Sequence, residues 1–267
     1  MKISFKYLVV SFFLLIFFQQ TISSQNIQTI AIQKPTAVSV DRYGNIFVAD
    51  VSGKIAYFDS TGKKIYEYSP SKIARVSLLE SWRSVKTFVF YQDLQAFTLL
   101  NRFLVATAEQ YRFSNAIGFA RLATLANDDN LWVFDEADFS LKKYNPDNEQ
   151  IILNVPLSLI VENKDYNFTF MREYQNLLFI SDANSGILVF DNLGNYKKKI
   201  PVSGLKHFGF SGDELYFFKD DTLYFSHLYQ TTERIIKLPK TEEKINFVLY
   251  LDRKIIIFTD KSLIINR

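Results

Sequence analysis

Short apolar runs that end in aspartate recur along the chain at nearly constant spacing. There are six such runs, and their terminal aspartates are separated by 43, 42, 47, 38 and 40 residues, with a mean of 42. A period of this length, carried by short aromatic and β-branched segments, indicates a four-stranded propeller blade rather than a helical repeat. The runs are IFVAD (46–50), VFYQD (89–93), LWVFD (131–135), LFISD (178–182), YFFKD (216–220) and IIFTD (256–260).

A second apolar segment follows each aspartate after a short polar turn, so each run predicts a β-hairpin. An alternating segment also precedes each hairpin. A more polar segment follows most of them, as expected for the solvent-facing edge strand of a blade. In the second blade the fourth strand is expected within residues 99–106, and the longest insertion is expected at 107–118.

Strands from the two ends of the chain are predicted to form one blade together. Only seven residues follow Asp260, enough for a third strand, whereas residues 26–33 (NIQTIAIQ) form an alternating strand that belongs to no hairpin. We expect this N-terminal strand to complete the last blade, because a shared blade removes the free sheet edge of the ring. The sequence therefore predicts an all-β, six-bladed β-propeller over residues 25–267. The predicted blades cover approximately residues 36–70, 71–112, 116–156, 165–202, 204–238, and 243–267 together with 25–34.

Residues 1–24 have the pattern of a secretory signal peptide. Lys2 and Lys6 precede an apolar segment at 8–18, and small residues follow at 21–24. The apolar segment is about eleven residues long, whereas a membrane-spanning helix needs roughly 20. We therefore expect cleavage and export, to the periplasm, the outer membrane or the extracellular space; an uncleaved anchor is the alternative.

The composition excludes several kinds of chemical site. The 267 residues include no cysteine and two histidines, which excludes disulfides, thiolate nucleophiles, cysteine-ligated metals and a lipid-modified cysteine. Without Lys2 and Lys6 the chain carries 29 basic and 28 acidic residues, a net charge of +1. So balanced a charge does not favour binding to nucleic acid or to anionic lipid.

Blade one carries a recognisable repeat. Its sequence DRYGNIFVAD (41–50), followed by KIAYFD (54–59) and TGK (61–63), resembles the repeat of NHL-type β-propellers, and blade four repeats the pattern loosely at 178–195. The resemblance implies a six-bladed propeller and a protein-binding scaffold, a lactonase-like enzyme or a lyase. The fold alone does not determine which of these three functions the protein has. The composition, rich in Phe, Ile, Asn and Lys, resembles that of exported proteins of the Bacteroidota.

The six recurrent aspartates are the first candidates for chemistry. The turns between second and third strands open on one face of a propeller, so these side chains are expected to form an acidic ring that suits Ca²⁺ or a basic partner. The alternative is that each aspartate accepts backbone N–H groups and shapes its turn, which ordinary turn chemistry favours. The ring consists of Asp50, Asp93, Asp135, Asp182, Asp220 and Asp260.

Two enzymatic alternatives have candidate residues. Lactonase-type propellers bind a divalent cation in the channel through acidic and amide side chains, for which Glu80, Glu173 and Asn246 lie near suitable strands. A lyase would instead use a histidine, His207 or His227. No phosphate-binding loop and no nucleophile elbow is present in the sequence.

The other candidate site lies on the face opposite the aspartates. Trp82, Arg83, Arg172 and Tyr174 follow first strands, and exposed Trp, Tyr and Arg side chains are typical of protein-binding hot spots. The alternative is that the tryptophan packs between blades. The favoured hypothesis is a non-catalytic propeller of the cell envelope that acts as a protein-binding scaffold or assembly factor without a cofactor. A metal-dependent hydrolase and a glycan-binding module are the alternatives, and the oligomeric state is left open.

Overall fold

A computed structural model describes residues 27–83, 85–108, 110–161, 165–238 and 241–266. The predicted signal peptide at 1–24 lies outside these residues. In chain order the described strands are β1 (Ile27–Ala31), β2 (Pro35–Val40), β3 (Ile46–Asp50), β4 (Ile55–Phe58), β5 (Lys64–Tyr68), β6 (Leu78–Glu80), β7 (Lys86–Tyr91), β8 (Ala96–Asn101), β9 (Tyr111–Arg112), β10 (Ala120–Leu125), β11 (Leu131–Asp135), β12 (Ser140–Asn145), β13 (Gln150–Pro156), β14 (Phe168–Tyr174), β15 (Leu177–Asp182), β16 (Gly186–Asp191), β17 (Tyr196–Ile200), β18 (Phe208–Ser211), β19 (Glu214–Lys219), β20 (Thr222–His227), β21 (Glu233–Lys237), β22 (Phe247–Leu251), β23 (Lys254–Phe258) and β24 (Ser262–Asn266).

These strands form six antiparallel four-stranded sheets, which confirms the six-bladed propeller. Blade one is β2–β5, blade two β6–β9, blade three β10–β13, blade four β14–β17 and blade five β18–β21. The first strands of neighbouring blades pack against one another and surround the central axis. We call the face that carries the turns between first and second strands the lower face, and the opposite face the upper face.

Blade six is built from both ends of the described chain, as predicted. Strand β1 pairs antiparallel with β24, from Ile27 opposite Asn266 to Ala31 opposite Ser262. The backbone N–H of Ile32 extends the pairing by donating to the carbonyl of Lys261 at 2.8 Å. The N-terminal strand therefore covers the edge that β24 would otherwise expose.

The prediction for the fourth strand of blade two was wrong. Residues 101–105 form a turn, because the Asn101 side-chain carbonyl accepts the backbone N–H groups of Phe103 and Val105 at 2.9 and 3.1 Å. The returning chain makes one bridge, Leu100 to Ala106, and then leaves the sheet. It pairs again only at β9, where the Tyr111 ring stacks on Phe97 with 5.0 Å between centroids.

The hydrophobic core is divided among the six interfaces between blades. Each cluster of buried side chains joins residues of two adjacent blades, such as Phe47 with Val89 and Phe134 with Met171. Aromatic side chains fill these wedge-shaped spaces, which explains the high phenylalanine content. Aromatic contacts also join first strands of blades four, five and six near the upper face, where the His207 ring lies 4.4 Å from Phe170 and 5.8 Å from Phe247.

Candidate functional site

The six recurrent aspartates all lie between second and third strands, on the upper face. Asp50, Asp135 and Asp182 end their strands, whereas Asp93 lies in a single 3₁₀ turn, and Asp220 and Asp260 lie just beyond the strand ends. The described residues contain no group of three or more acidic or histidine side chains placed to hold a metal ion. All six positions are therefore acidic, but the six carboxylates do not converge on one point.

Several of these aspartates connect their turn to the loop that enters the same blade. Asp135 accepts the N–H groups of Gly118 and Phe119 at 2.7 and 2.8 Å, and Asp182 accepts that of Asn167 at 2.8 Å. Burial alone would raise the pKa of Asp135, but the Lys142 ammonium at 2.7 Å and these N–H groups outweigh it and hold the pKa below its usual range. These contacts are those expected of turn-shaping residues.

Glu80 and Glu173 hold blade three from its two sides. The Glu80 carboxylate, at the end of β6, accepts the Thr124 hydroxyl at 2.7 Å and the Leu125 N–H at 3.0 Å. The Glu173 carboxylate, in β14, accepts the Asn127 N–H at 3.0 Å and the Trp132 indole N–H at 2.7 Å. Both carboxylates therefore point into a neighbouring blade and away from any common point in the channel.

The burial of Glu80 has an electrostatic consequence. Burial raises its pKa above the usual range, while the charges of Arg172 and Arg83 and the two hydrogen bonds act in the opposite direction.

The third residue suggested for a lactonase-type site, Asn246, lies on the upper face and donates its side-chain N–H to Asp260 at 2.8 Å. The three residues are therefore not brought together.

The two histidines have different surroundings. Burial, and to a smaller extent the charge of Arg172, lowers the pKa of His207 to about 3. A base works best with a pKa near the operating pH, so this imidazole is a weak one. His227 ends the third strand of blade five, where its ring Nδ1 accepts the N–H of Tyr229 at 3.1 Å.

The lower mouth of the channel brings together three of the four residues predicted to bind a partner. The guanidinium groups of Arg83 and Arg172 lie 5.1 and 5.8 Å from the centre of the Trp82 ring. Arg83 also donates to the Asp129 carboxylate at 2.9 Å and to the Ala126 carbonyl. All three side chains are partly buried. The tryptophan is therefore neither enclosed between blades nor fully exposed.

Phe210 connects the fourth residue to this group. The Arg172 guanidinium lies 5.6 Å from the Phe210 ring, and the Tyr174 ring stacks on that ring at 4.2 Å and 5°. The Tyr174 hydroxyl donates to the Gly212 carbonyl at 2.8 Å. We call Trp82, Arg83, Arg172, Tyr174 and Phe210 the mouth cluster. It joins blades two, four and five across the axis.

Sequence reasoning missed Phe210 and its neighbour Tyr216. The Tyr216 ring passes over Gly209, where an added Cβ would lie 2.4 Å from the ring, and its hydroxyl accepts the Tyr250 N–H of blade six at 3.0 Å. A glycine within a first strand was the available signal, because glycine inside a strand often marks a close approach.

Exposed apolar side chains are concentrated in the turns of the lower face. Among the described residues, six large apolar side chains are exposed in lower-face turns, and three are exposed in upper-face loops. Arg42 lies over Tyr43 at 5.0 Å and Arg102 over Phe103 at 4.7 Å, which repeats the pairing of Arg83 with Trp82. The six residues are Tyr43, Val85, Phe103, Val105, Leu193 and Tyr229.

No protein-family model matches the chain, and no curated protein matches it in sequence. Solved structures do resemble it. A virginiamycin B lyase from Staphylococcus aureus has a TM-score of 0.63 at 11% identity, covering 90% of this chain and 98% of the lyase. A streptogramin B lyase gives 0.62 at 12% identity, covering 90% and 97%. BamB from Moraxella catarrhalis gives 0.53 at 12% identity, covering 88% and 86%.

At this level of identity the likeness shows the propeller fold alone, and membership of the NHL family stays a prediction. Within the described residues we find no helix with the length and apolar character needed to span a bilayer.

Proposed function

We propose that this protein is an exported, non-catalytic propeller that binds another protein of the cell envelope through its lower face. The observation that carries the proposal is the mouth cluster, together with the exposed Arg–aromatic pairs around it. Trp, Tyr and Arg are enriched among the few residues that contribute most of the binding energy at protein interfaces.

The upper channel supports the same proposal. The Phe170, His207 and Phe247 rings pack together there, and the carboxylates of Glu80 and Glu173 are engaged in contacts between blades. A hydrolase or lyase needs an accessible cavity with several polar groups aimed at one point. The described channel is better suited to hold the blades in place.

Co-purification with matched variants tests the proposal. Tagged protein is crosslinked in envelope fractions, and bound proteins are compared among the wild type, the lower-face variant Trp82→Ala/Tyr229→Ala and the upper-face control Val51→Ala. We expect one companion protein that is retained by the control and lost from the lower-face variant. Equal recovery with all three proteins, or no companion at all, would contradict the proposal.

Export is tested separately by sequencing the N-terminus of the protein recovered from the same fractions. The pattern at residues 1–24 supports cleavage near Ser24. An intact Met1 would contradict cleavage and favour the anchor.

A further inference from the structure

The guanidinium of Arg172 has no acceptor in the described structure. Its Nε atom is enclosed, with no hydrogen-bond partner. No described carboxylate oxygen lies within 4.0 Å of its nitrogens, since the described ion pairs involve other residues. A guanidinium carries five N–H donors, and leaving such a group without acceptors in a partly buried site is costly.

The surroundings of Arg172 prepare it for a ligand. The Trp82 and Phe210 rings lie 5.8 and 5.6 Å from its guanidinium carbon and limit its movement. Glu80, whose charge interacts with that of Arg172, already accepts hydrogen bonds from Thr124 and Leu125. The arginine is thus held in place by contacts that satisfy none of its donors.

A second unpaired polar atom lies directly after β6 in blade two, next to Trp82 in sequence. The Ser81 side-chain hydroxyl is buried without a partner among the described residues, although the Ser81 backbone N–H donates to the Ser39 hydroxyl at 3.0 Å. Ser81 stands between Glu80 and Trp82 in sequence. Among the described residues, two of the three buried side-chain polar atoms without a partner therefore belong to Arg172 and to the residue before Trp82.

We propose that the lower mouth of the channel binds a carboxylate group, which pairs with the Arg172 guanidinium beside the Trp82 ring. A planar carboxylate accepts two parallel N–H bonds from a guanidinium, which is the strongest common way to satisfy its donors. The site is open to a ligand, because Arg172 and Trp82 are only partly buried. This inference deepens the proposed function, since it names the group that a partner would present.

Tryptophan fluorescence reports binding directly. Trp82 lies in the mouth, whereas Trp132, the only other tryptophan, is fully buried and bonded to Glu173. Full-length protein is titrated with three probes: succinate, the blocked peptide Ala-Ala-Glu-Glu-Ala-Ala and the same peptide with glutamines. Calorimetry measures the same affinities. We expect succinate or the glutamate peptide to bind and change the Trp82 emission, and the glutamine peptide not to bind.

The matched variants are Arg172→Met, Arg172→Lys and Arg75→Met. Arg75 is exposed on the upper face and is the control for loss of one positive charge. We expect Arg172→Met to weaken binding about tenfold or more, because a hydrogen-bonded charge pair is lost, and Arg172→Lys to weaken it less. Arg75→Met should bind as the wild type does.

Stability separates this role from a structural one. The Arg172 charge favours the ionised form of the buried Glu80 carboxylate, so Arg172→Met is expected to lose some stability, whereas Arg172→Lys keeps the charge and should melt close to the wild-type temperature. Weaker binding by Arg172→Lys with unchanged melting would support the site. Unchanged binding in Arg172→Met, or no binding of either carboxylate probe, would overturn the proposal.

The probes also separate this inference from the proposed function. Binding of the glutamate peptide supports a carboxylate presented by a protein. Binding of succinate alone supports the carboxylate site with a free small acid as its ligand, and the companion protein sought by co-purification would then be absent.

Discussion

Replacing Glu173 by alanine tests the claim that buried carboxylates hold the blades together. Glu173 is 2% exposed, and its carboxylate accepts one backbone N–H and the indole N–H of Trp132, both from blade three. In the alanine variant these two donors lose their acceptor. No other partner for the Trp132 nitrogen exists in the described structure, so the indole N–H would remain buried and unpaired.

The expected cost follows from the two lost hydrogen bonds. The buried Trp132 indole N–H left without an acceptor costs about 1–3 kcal/mol, whereas Asn127 is exposed and the loss of its bond costs about 1 kcal/mol, because water can replace the carboxylate. Removing the buried carboxylate relieves its own desolvation, which offsets part of this cost. We therefore expect a net loss of about 2 kcal/mol from the free energy of unfolding, which compares with the 5–15 kcal/mol typical of a domain.

Urea unfolding followed by Trp132 emission measures this loss. Glu173→Gln keeps one acceptor oxygen and should lose about half as much, whereas Glu233→Ala, at an exposed position of β21, should change the stability by less than about 0.5 kcal/mol. If Glu173→Ala unfolded within about 1 kcal/mol of the wild type, the carboxylate would not hold blades three and four together, and the account of the channel would need revision.

Three further perturbations test the closure, the packing and the electrostatics of the ring. Deleting residues 27–33 removes the pairing of β1 with β24 and should lower the free energy of unfolding by about 3 kcal/mol, as measured by urea unfolding. The exposed edge of β24 should also promote aggregation, as measured by light scattering. Unchanged stability and unchanged aggregation would contradict closure of the ring by β1. Gly209→Ala places a Cβ 2.4 Å from the Tyr216 ring and should cost about 2 kcal/mol, but much less in a Tyr216→Ala background, as a double-mutant cycle would show. His207 is neutral in the folded protein down to about pH 3, whereas it protonates below about pH 6.5 in the unfolded chain. Stability is therefore lost as the pH falls between these values, by at most about 1.4 kcal/mol per pH unit. A His207→Leu variant should lose stability less steeply in acid, and an identical acid dependence would refute the lowered pKa.

The lower face carries several arginine side chains that lie over aromatic rings. Arg42, Arg83 and Arg102 each lie over the ring of an adjacent aromatic residue in a lower-face turn, and Arg172 adds a positive charge at the axis. Arg83 is bonded to Asp129 and to the Ala126 carbonyl, whereas Arg42 and Arg102 are exposed, and a guanidinium held over an aromatic ring is suited to bind carboxylates. An acidic partner surface therefore fits both the proposed function and the proposed site.

Local sequence patterns were sufficient for the blades. Apolar runs with a period of 42 residues predicted the hairpins, and the alternating segment at 26–33 predicted the shared blade, because strand formation and edge protection depend on neighbouring residues and on the count of strands. The fourth strand of blade two was misplaced because the side chain of Asn101 closes a turn inside the expected segment.

The roles of the individual side chains were decided only by the tertiary structure. Glu80 and Glu173 looked like channel ligands in the sequence, yet their carboxylates bond to donors some 41 to 46 residues away in blade three. Arg172 meets Trp82 across the ring, 90 positions apart in sequence, and a periodic pattern contains no information about which side chains face one another there. The repeat determines how many blades form, whereas the contacts at the axis depend on how non-identical blades pack when the ring closes.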